Sequence, residues 1–377
     1  MQIHFREFKL KRRDFLAIST SLLAVTTAKG LSMPLDSLKS DLDTNNILKP
    51  TLNPQVDVAS QPQITQEISY KFPHLLAPGS KVAFASPSST TNQWEVSKAT
   101  KVLKSLGLEV ELGKIIKNQQ NKTRYLADED EARADEFMEL AACTDIDAVI
   151  AGRGGYGAMR IVDKLDFDVI AKNPKIYMGF SDFTFLLNAI TEKAKIITFH
   201  GPVGVSSFSQ FTTNNFKQTT FANHPAELEI PLANSEILMQ GNAKAPIIGG
   251  NLTMLVASLG TPYEVQTEGK ILFFEDINEQ SYKIDRMLTQ LKLSGKFNNL
   301  KGILIGKFTG LRKRKAFYPN YGYSLLEVFE QILMPLNIPI MMNVPIGHIS
   351  EQITVPLNSI IEMDTKTKKL IYYYTTF

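Results

Sequence analysis

Short apolar runs alternate with segments of helical periodicity between residues 70 and 205. The apolar run at residues 82–85 in "SKVAFASPSS" predicts a buried strand that ends in a Pro/Ser loop, and "LEVELG" predicts a second strand. Between them, "QWEVSKATKVLKSLG" carries apolar residues at helical spacing and closes at Gly107. Further on, "DEDEARADEFMELAACTD" predicts a surface helix with charged faces. The segments "DAVIAGRGGYG" and "KIYMGFSD" predict two more strands, separated by the short helix "AMRIVDKL".

This order of strands and helices predicts an α/β domain over residues 70–205, with a mostly parallel sheet covered by helices on both faces. In such sheets the reactive loops lie at the carboxyl ends of the strands. Three loops are predicted there, at residues 86–91, 152–157 and 179–182. After a polar connection at 206–240, residues 241–377 again mix apolar strands with helices, and their closing hairpin-like strands predict a mixed sheet.

The N-terminal 30 residues differ from the rest of the chain in charge. They hold six Lys/Arg against Glu7 and Asp14, a net +4, whereas the whole chain carries +3, so the remainder is near −1. The pair Arg12-Arg13, followed by a short apolar run, resembles a twin-arginine export signal. An amphipathic helix or a basic tail is the alternative interpretation. Residues 31–69 are polar and lack aromatic side chains until Tyr70, which predicts a linker.

Composition and motifs exclude several classes of function. No window approaches the ~20 apolar residues of a membrane span, and the charge outside the N-terminus gives no argument for nucleic acid. The single cysteine, Cys143, excludes an intrachain disulfide. No metal-ligand motif is present, and "AGRGGYG" fits neither the dinucleotide-binding nor the P-loop spacing. The sequence therefore predicts neither a metal nor an organic cofactor.

The stretch "GFSD" allows two interpretations of Ser181. It is half of the nucleophile-elbow motif G-x-S-x-G, with Phe183 in place of the second glycine. Serine and aspartate before an apolar helical run are also standard helix N-caps. The residue itself does not decide between the two.

A serine nucleophile needs a base and a residue that orients the base. Among five histidines, His348 is the preferred base, because it lies on a loop between two strand-like runs; His200 is either a pocket wall or a core histidine. Glu275 and Asp276 end an apolar strand, where a carboxylate either caps a surface helix or points into a site. Ser181, Glu275 and His348 would have the chain order Ser, acid, His, which several unrelated hydrolases use.

A series of motifs in order over residues 80–357 resembles one known family. They are "YLADEDEARADEF", "RGGYGAMRIVDKLDFDVIAKNPKIYMGFSDFTFL", "FHGP", "GGNLTMLVASLGTP", "FFEDINEQSYKIDRML", "GILIGKF" and "GHISEQITVPLN". Together they resemble the LD-carboxypeptidases, or muramoyltetrapeptide carboxypeptidases, a serine peptidase family that trims peptidoglycan peptides. Phe180, where the family often has Tyr, and Asn358, where Gly is common, are small departures.

The resemblance implies two α/β domains with an active site in the cleft between them. It implies that Ser181 is the nucleophile, His348 the general base and Glu275 the residue that orients it. It also implies an oxyanion hole formed by the backbone amides of Asp182 and of the glycine turn, with Gly155 as the second donor. The implied reaction cleaves the bond between an L-centre and the terminal D-alanine of a peptidoglycan tetrapeptide through an acyl-enzyme, without metal or cofactor.

Several points stay open at this level. Arg153 and Arg160 are candidates to bind the substrate carboxylate, or they pair with nearby carboxylates. A same-family amidase acting on a peptide-nucleotide antibiotic and, from another class, a periplasmic solute-binding protein are the alternative functions. The N-terminus predicts a periplasmic location, although many family members are regarded as cytoplasmic recycling enzymes. A homodimer is compatible with the sequence, which does not determine the oligomeric state.

Overall fold

The computed structural model of the chain describes residues 70–118, 125–223, 225–311 and 322–374. The predicted export signal (1–30) and linker (31–69) lie outside the described residues, so neither prediction is tested by the fold. Across the four described ranges, no helix has the length and apolar character needed to cross a membrane.

The first half of the described chain alternates strands and helices, as predicted. Its strands are β1 Lys81–Ala85, β2 Glu109–Leu112, β3 Ala148–Ala151, β4 Ile176–Gly179 and β5 Phe199–His200. Its α-helices are α1 Ser97–Ser105, α2 Lys114–Asn118, α3 Asp130–Ala142, α4 Phe167–Lys172, α5 Thr184–Ala194 and α6 Gln210–Thr220, and its 3₁₀ helices are Ala158–Lys164 and Ser181–Phe183.

The second half is richer in strands. They are β6 Glu227–Pro231, β7 Glu236–Met239, β8 Asn242–Asn251, β9 Ile271–Ile277, β10 Gly302–Thr309, β11 Ile340–Met342, β12 Val355–Pro356, β13 Ile360–Asp364 and β14 Lys369–Tyr373. The helices are α7 Leu252–Ala257, α8 Ser281–Leu293, α9 Leu325–Leu333 and the 3₁₀ helix Met334–Leu336.

Two sheets result, and they confirm the predicted α/β fold class. The six-stranded sheet has the order β12-β5-β4-β3-β1-β2, in which β1 to β5 are parallel and β12 is antiparallel. The eight-stranded sheet has the order β6-β14-β13-β8-β9-β10-β11-β7 and is mixed: β8 to β11 run parallel, with antiparallel strands at both sides. Strands β1, β3, β4 and β9 are almost entirely buried, which explains their continuous apolar runs.

The predicted connection at 206–240 is more structured than its polar composition indicates. It contains α6, which buries Phe216, and the strands β6 and β7 of the mixed sheet. Strand β6 alternates exposed and buried residues, so only every second position needs to be apolar. In the other direction, β12 returns from the C-terminal region to pair with β5 of the first sheet.

Helix α3 differs from the predicted surface helix, because two of its charged side chains are buried. Glu136 is 4% exposed and accepts the N–H groups of Ser86 and Ile115, each at 2.7 Å. Arg133 is fully buried and donates to the carbonyl oxygen of Gly157 at 2.9 Å, and also to that of Pro87. These charges hold the loops that follow β1 and β3, since buried ionic groups are tolerated where backbone groups pair with them.

Helix α5 joins the two sheets. Asn188 donates from Nδ2 to the carbonyl of Gly249 at 3.1 Å, and the N–H of Asn251 donates to Thr184 Oγ1 at 3.1 Å. Gly250 has φ 140°, and a Cβ at this position would collide with the Thr184 side chain. Helix α5 therefore packs against the end of β8, which brings the carboxyl ends of β4 and β9 to the same place.

Candidate active site

Ser181 lies on a sharp turn between β4 and α5. Phe180 is extended, whereas Ser181 has φ 62°, in the left-handed region that non-glycine residues rarely occupy. A strained serine between a strand and a helix is the geometry of a nucleophile elbow. Its side chain caps neither the 3₁₀ helix Ser181–Phe183 nor α5, so the interpretation of Ser181 as a helix cap is wrong.

The glycine loop after β3 closes against this turn. A Cβ on Gly154 would lie 2.8 Å from Ser181 Cβ and 3.0 Å from Ser181 Oγ, so only glycine leaves room for the serine. Gly155, with φ 104°, instead lies against Ser89, whose Oγ accepts the N–H of Tyr156 at 3.0 Å. The N–H of Ser89 donates to the carbonyl of Gly154 at 3.3 Å. The three predicted loops therefore meet at the carboxyl edge of the first sheet.

His348 reaches the serine from the loop between β11 and β12. Its Nε2 is 3.1 Å from Ser181 Oγ, and its Nδ1 is 2.7 Å from Glu275 Oε2. The ring packs edge-on against Phe180, with 4.9 Å between ring centroids, and the side chain is 17% exposed. The structure thus brings together Ser181, His348 and Glu275, although 167 positions separate the serine from the histidine.

Glycine also makes the approach of the histidine loop possible. Gly347 has φ 116°, and a Cβ there would lie 2.6 Å from Glu275 Oε2. Just before it, the carbonyl of Ile346 accepts the N–H of Lys307 on β10 at 2.9 Å. The loop is therefore fixed to the neighbouring strand while its backbone passes over the carboxylate.

The adjacent carboxylates Glu275 and Asp276 share Asn251 Nδ2 as one donor, which lies 3.2 Å from Asp276 Oδ1, but they differ in their other partners. Glu275 is fully buried, and its Oε1 accepts Asn251 Nδ2 at 3.2 Å. Asp276 Oδ2 accepts the N–H of Thr253 at 2.9 Å and its hydroxyl at 2.7 Å, at the start of α7. Burial raises the pKa of Asp276. Glu275 thus faces the site, and Asp276 caps a helix.

The hydrogen-bond partners assign the histidine tautomer. A carboxylate only accepts hydrogen bonds, so Glu275 fixes the proton of neutral His348 on Nδ1. Nε2 is then left with a lone pair that accepts the Ser181 hydroxyl proton. Hydroxyl, imidazole and carboxylate stand in the order of a Ser–His–acid triad.

Asp182 uses its side chain across the loop. Its Oδ2 accepts the N–H of Ala158, the first residue of the 3₁₀ helix Ala158–Lys164, at 2.7 Å. The carboxylate therefore caps that helix and not the turn on which Asp182 itself lies. The pKa of Asp182 is raised because the carboxylate is buried, and the hydrogen bond from the N–H of Ala158 offsets part of this effect. The oxyanion roles of the Asp182 and Gly155 amides stay predictions.

His200 is a core histidine. It is fully buried, packs edge-on against Phe273 with 5.1 Å between ring centroids, and lies beside Phe180. Neither ring nitrogen has a hydrogen-bond partner among the described residues. Burial lowers the pKa of His200 to about 4, so this ring is neutral near pH 7.

Two supporting residues went unrecognised in the sequence. Asn251 donates from Nδ2 to Glu275, and its Oδ1 accepts the N–H of Met254 at 3.3 Å. An asparagine before an apolar helix is a recognisable N-cap signal. Its hydrogen bond to the acid, in contrast, has no signature in the local sequence. Thr212 on α6 donates to the carbonyl of Ser350 at 2.9 Å and accepts the N–H of Gln352 at 3.0 Å, beyond the histidine.

Two family models match the chain. Residues 82–201 match the LD-carboxypeptidase N-terminal domain, and residues 244–363 match the LD-carboxypeptidase C-terminal domain. Together the two matches cover more than half of the chain. The chain belongs to the LD-carboxypeptidase family, as its motifs predicted, and is by family a peptidase.

Three relatives illustrate the range of the family. The probable murein peptide carboxypeptidase of Bacillus subtilis (strain 168) is 36% identical over 315 residues, covering 81% of this chain and 94% of the relative. The crystal structure of muramoyltetrapeptide carboxypeptidase from Oxalobacter formigenes has a TM-score of 0.68 at 30% identity and covers 78% of this chain and 98% of its own.

The third relative is the microcin C7 self-immunity protein MccF of Escherichia coli. It is 27% identical over 333 residues, covering 78% of this chain and 93% of the relative. A structure of MccF in complex with glutamyl sulfamoyl guanosine has a TM-score of 0.74 at 24% identity and covers 81% of this chain and 99% of its own, which shows a shared fold.

The described part of the chain contains no group of three or more His, Cys, Asp or Glu side chains arranged to hold a metal ion.

Proposed function

We propose that this chain is a serine-type LD-carboxypeptidase that removes the terminal D-alanine from peptidoglycan tetrapeptides. One observation carries the proposal: Ser181 Oγ is 3.1 Å from His348 Nε2, and His348 Nδ1 is 2.7 Å from the buried Glu275 carboxylate. The relatives named as murein or muramoyltetrapeptide carboxypeptidases support this substrate class.

In the proposed first step, His348 Nε2 takes the hydroxyl proton as Ser181 Oγ attacks the carbonyl carbon of the scissile amide. Glu275 stabilises the imidazolium that forms, and Asn251 keeps the carboxylate in place through its bond at 3.2 Å. The amides of Asp182 and Gly155 are the proposed donors to the oxyanion. Removal of one such donor typically costs about 3 to 4 kcal/mol of barrier.

The tetrahedral intermediate then collapses. His348 returns the proton to the amide nitrogen, the C–N bond breaks, and D-alanine leaves, while the tripeptide acyl group stays esterified to Ser181. A water molecule, activated by His348, hydrolyses the ester and regenerates the hydroxyl. All protons in the cycle move among Ser181, His348, the substrate and water. Hydrolysis changes no oxidation state, so no redox partner is needed.

The test is product analysis with a disaccharide tetrapeptide, followed by chromatography and mass spectrometry. Wild type should release tripeptide and free D-alanine, and Ser181→Ala should lower the rate by about 10⁴-fold or more, because the members of a triad act as a unit. Ser105→Ala, a change at an exposed serine at the end of α1, is the matched control and should keep the wild-type rate. Undiminished turnover by Ser181→Ala would remove the nucleophile assignment.

The similarity to MccF supports a second candidate, an amidase that inactivates a peptide-nucleotide antibiotic. It would keep the same triad and differ in the pocket. Incubating the same preparation with microcin C7 and with the tetrapeptide separates the two, and we expect the larger kcat/KM with the tetrapeptide. A solute-binding protein, the alternative from another class, would bind the tetrapeptide without releasing D-alanine.

We also propose a periplasmic location through the twin-arginine route, which rests on Arg12-Arg13 alone. Cells expressing the Arg12→Lys, Arg13→Lys double variant should retain the protein in the cytoplasm, as judged by fractionation. Unchanged arrival in the periplasm would exclude that route, and a cytoplasmic wild type would favour a role on recycled peptides.

A further inference from the structure

We propose that Arg153 binds the α-carboxylate of the substrate's terminal residue and so makes the site selective for a free C-terminus. This inference rests on the proposed carboxypeptidase function and adds to it the side chain that would recognise the chain end. A peptidase that acts only on the last residue needs a cation or several N–H donors for that carboxylate, and the catalytic triad supplies neither.

Arg153 has the right position along the chain. It immediately precedes Gly154, where a Cβ would lie 2.8 Å from Ser181 Cβ. Consecutive Cα atoms are about 3.8 Å apart, so the Cα atom of Arg153 lies that close to the Cα atom of Gly154, the glycine packed against the proposed nucleophile. Its exposed side chain therefore starts from the glycine loop that closes against the proposed nucleophile.

The guanidinium of Arg153 is available. It is 43% exposed and donates one hydrogen bond, from Nη1 to Glu95 Oε1 at 3.3 Å. Its other N–H groups have no partner within the described ranges. An ion pair between exposed groups contributes little to stability, so sharing or exchanging this partner costs little. The planar fork of N–H groups matches a carboxylate in a bidentate arrangement.

Glu95 is held in place independently of Arg153. Its Oε2 accepts the hydroxyl of Thr91 at 3.1 Å, the N–H of Asn92 at 3.0 Å and Asn92 Nδ2 at 2.9 Å. Thr91 and Asn92 thus occupy Oε2 of Glu95, and Oε1 is left to accept the hydrogen bond from Arg153. Glu95 therefore restricts the arginine side chain without neutralising all of its donors.

The other candidate, Arg160, is 42% exposed but pairs with Asp130 through two of its three guanidinium nitrogens. Its Nε contacts both oxygens of Asp130, at 3.1 and 3.0 Å, and Nη2 donates to Oδ2 at 2.8 Å. Asp130 also accepts from the buried Arg133 at 2.5 Å. The hydrogen bond from Arg160 lowers the pKa of Asp130, which favours the charged carboxylate that both arginines contact. Arg160 thus fixes α3 to the 3₁₀ helix Ala158–Lys164.

A third cation, Lys307, provides the strongest competing assignment. It lies near the end of β10, where its N–H supports the histidine loop, and its side chain is half-buried. A lysine offers a point charge in place of a fork, and this one lies on the opposite half of the site from the glycine loop. The test therefore includes the change Lys307→Gln, which should leave the preference for the free acid intact.

The experiment compares two substrates, the tetrapeptide ending in D-alanine and the same peptide ending in D-alaninamide, and both yield the same tripeptide. For wild type, kcat/KM should be about 10- to 150-fold higher for the free acid, the range expected for hydrogen bonds to a charged group. Arg153→Gln should lower this ratio towards one by losing activity on the acid alone, and Arg153→Lys should keep part of it. Arg160→Gln and Lys307→Gln are the controls and should retain the wild-type ratio.

Three outcomes would overturn the inference: a wild-type ratio near one, an Arg153→Gln variant that loses acid and amide activity equally, or a collapse of the ratio in Lys307→Gln instead. A wild type that releases no tripeptide from either peptide counts against the proposed function itself, so the two failures are distinct. Because Arg153 is exposed, its variants should keep the unfolding midpoint of wild type, which thermal denaturation checks.

Discussion

The serine half and the acid–histidine half of the site are built in opposite ways. On the first sheet, Ser181 is placed by backbone conformation: a left-handed φ of 62° and the missing side chain of Gly154. On the second sheet, Glu275 and His348 are placed by side-chain hydrogen bonds, with Asn251 behind the acid. The serine half therefore depends on steric room, whereas the acid–histidine half depends on side-chain donors and acceptors and, at Gly347, on steric room as well.

This difference predicts how each half fails. Extra bulk on the serine side should displace Ser181, whereas an isosteric change on the acid side should leave the geometry intact and alter only the position of a proton. Three predictions follow from the comparison, in order of expected effect.

The largest effect is expected for Glu275→Gln. The new side-chain amide nitrogen would donate to His348 Nδ1, which favours the His348 tautomer that carries its proton on Nε2. In that tautomer Nε2 cannot accept the hydroxyl proton of Ser181. We expect kcat to fall by about 10³- to 10⁴-fold with little change in the far-UV circular dichroism spectrum.

The neighbouring Asp276→Asn is the matched control, because Asp276 caps α7 and its hydrogen-bond link to Glu275 is through their common donor Asn251. It should cost about 1 kcal/mol of stability with a loss of kcat below tenfold. Equal losses of kcat in both variants would mean that Glu275 has no special role in orienting the histidine.

A smaller effect is expected for Gly154→Ala. The new methyl group would lie 2.8 Å from Ser181 Cβ and 3.0 Å from its Oγ, so either the loop or the serine must move. A displacement of about 1 Å typically costs on the order of 10²-fold in rate. Steady-state kinetics with the tetrapeptide measures it. Gly260→Ala, at a positive φ of 76° with open space around it, controls for backbone strain far from the site and should keep kcat.

The smallest effect is a change in the pH dependence of stability in His200→Phe. The folded pKa of about 4 lies below the ordinary value of 6.5, because the ring is buried. Between these values the unfolded chain binds a proton that the folded chain does not, so wild-type stability should fall as pH drops from 6.5 to 4. Urea unfolding should show that the variant loses less over this window, by at most roughly 3 kcal/mol.

The exposed His74 provides the control for this measurement. His74→Gln should follow the wild-type curve, because an exposed ring is hydrated in both states. If His200→Phe also followed the wild-type curve, the buried ring would not be the source of the acid sensitivity.

Local patterns were sufficient for much of the fold. The apolar runs of β1, β3, β4 and β9 and the periodicity of α1 identified these elements, because fully buried parallel strands leave a continuous apolar signal. The loops at the sheet edge followed from the same pattern. The residues of the triad were named from motifs, and the contacts among them depend on pairs up to 167 positions apart.

What local patterns missed depends on distant backbone groups. Arg133 and Glu136 look like members of a solvated helix face, and they are buried only because loop carbonyls and amides from elsewhere in the chain satisfy them. Helix α6 looks like a polar connection, yet Thr212 in it supports the histidine loop. No single segment carries the information for such contacts.

The central claim is that residues from both halves act as one catalytic unit, and a double-variant comparison tests it most directly. Rates of D-alanine release should be measured for Ser181→Ala, His348→Ala and the double variant. The account predicts that each single change lowers kcat/KM by about 10⁴-fold or more, and that the double variant is no slower than the slower single variant. Losses that multiply in the double variant, or substantial turnover without Ser181, would contradict it.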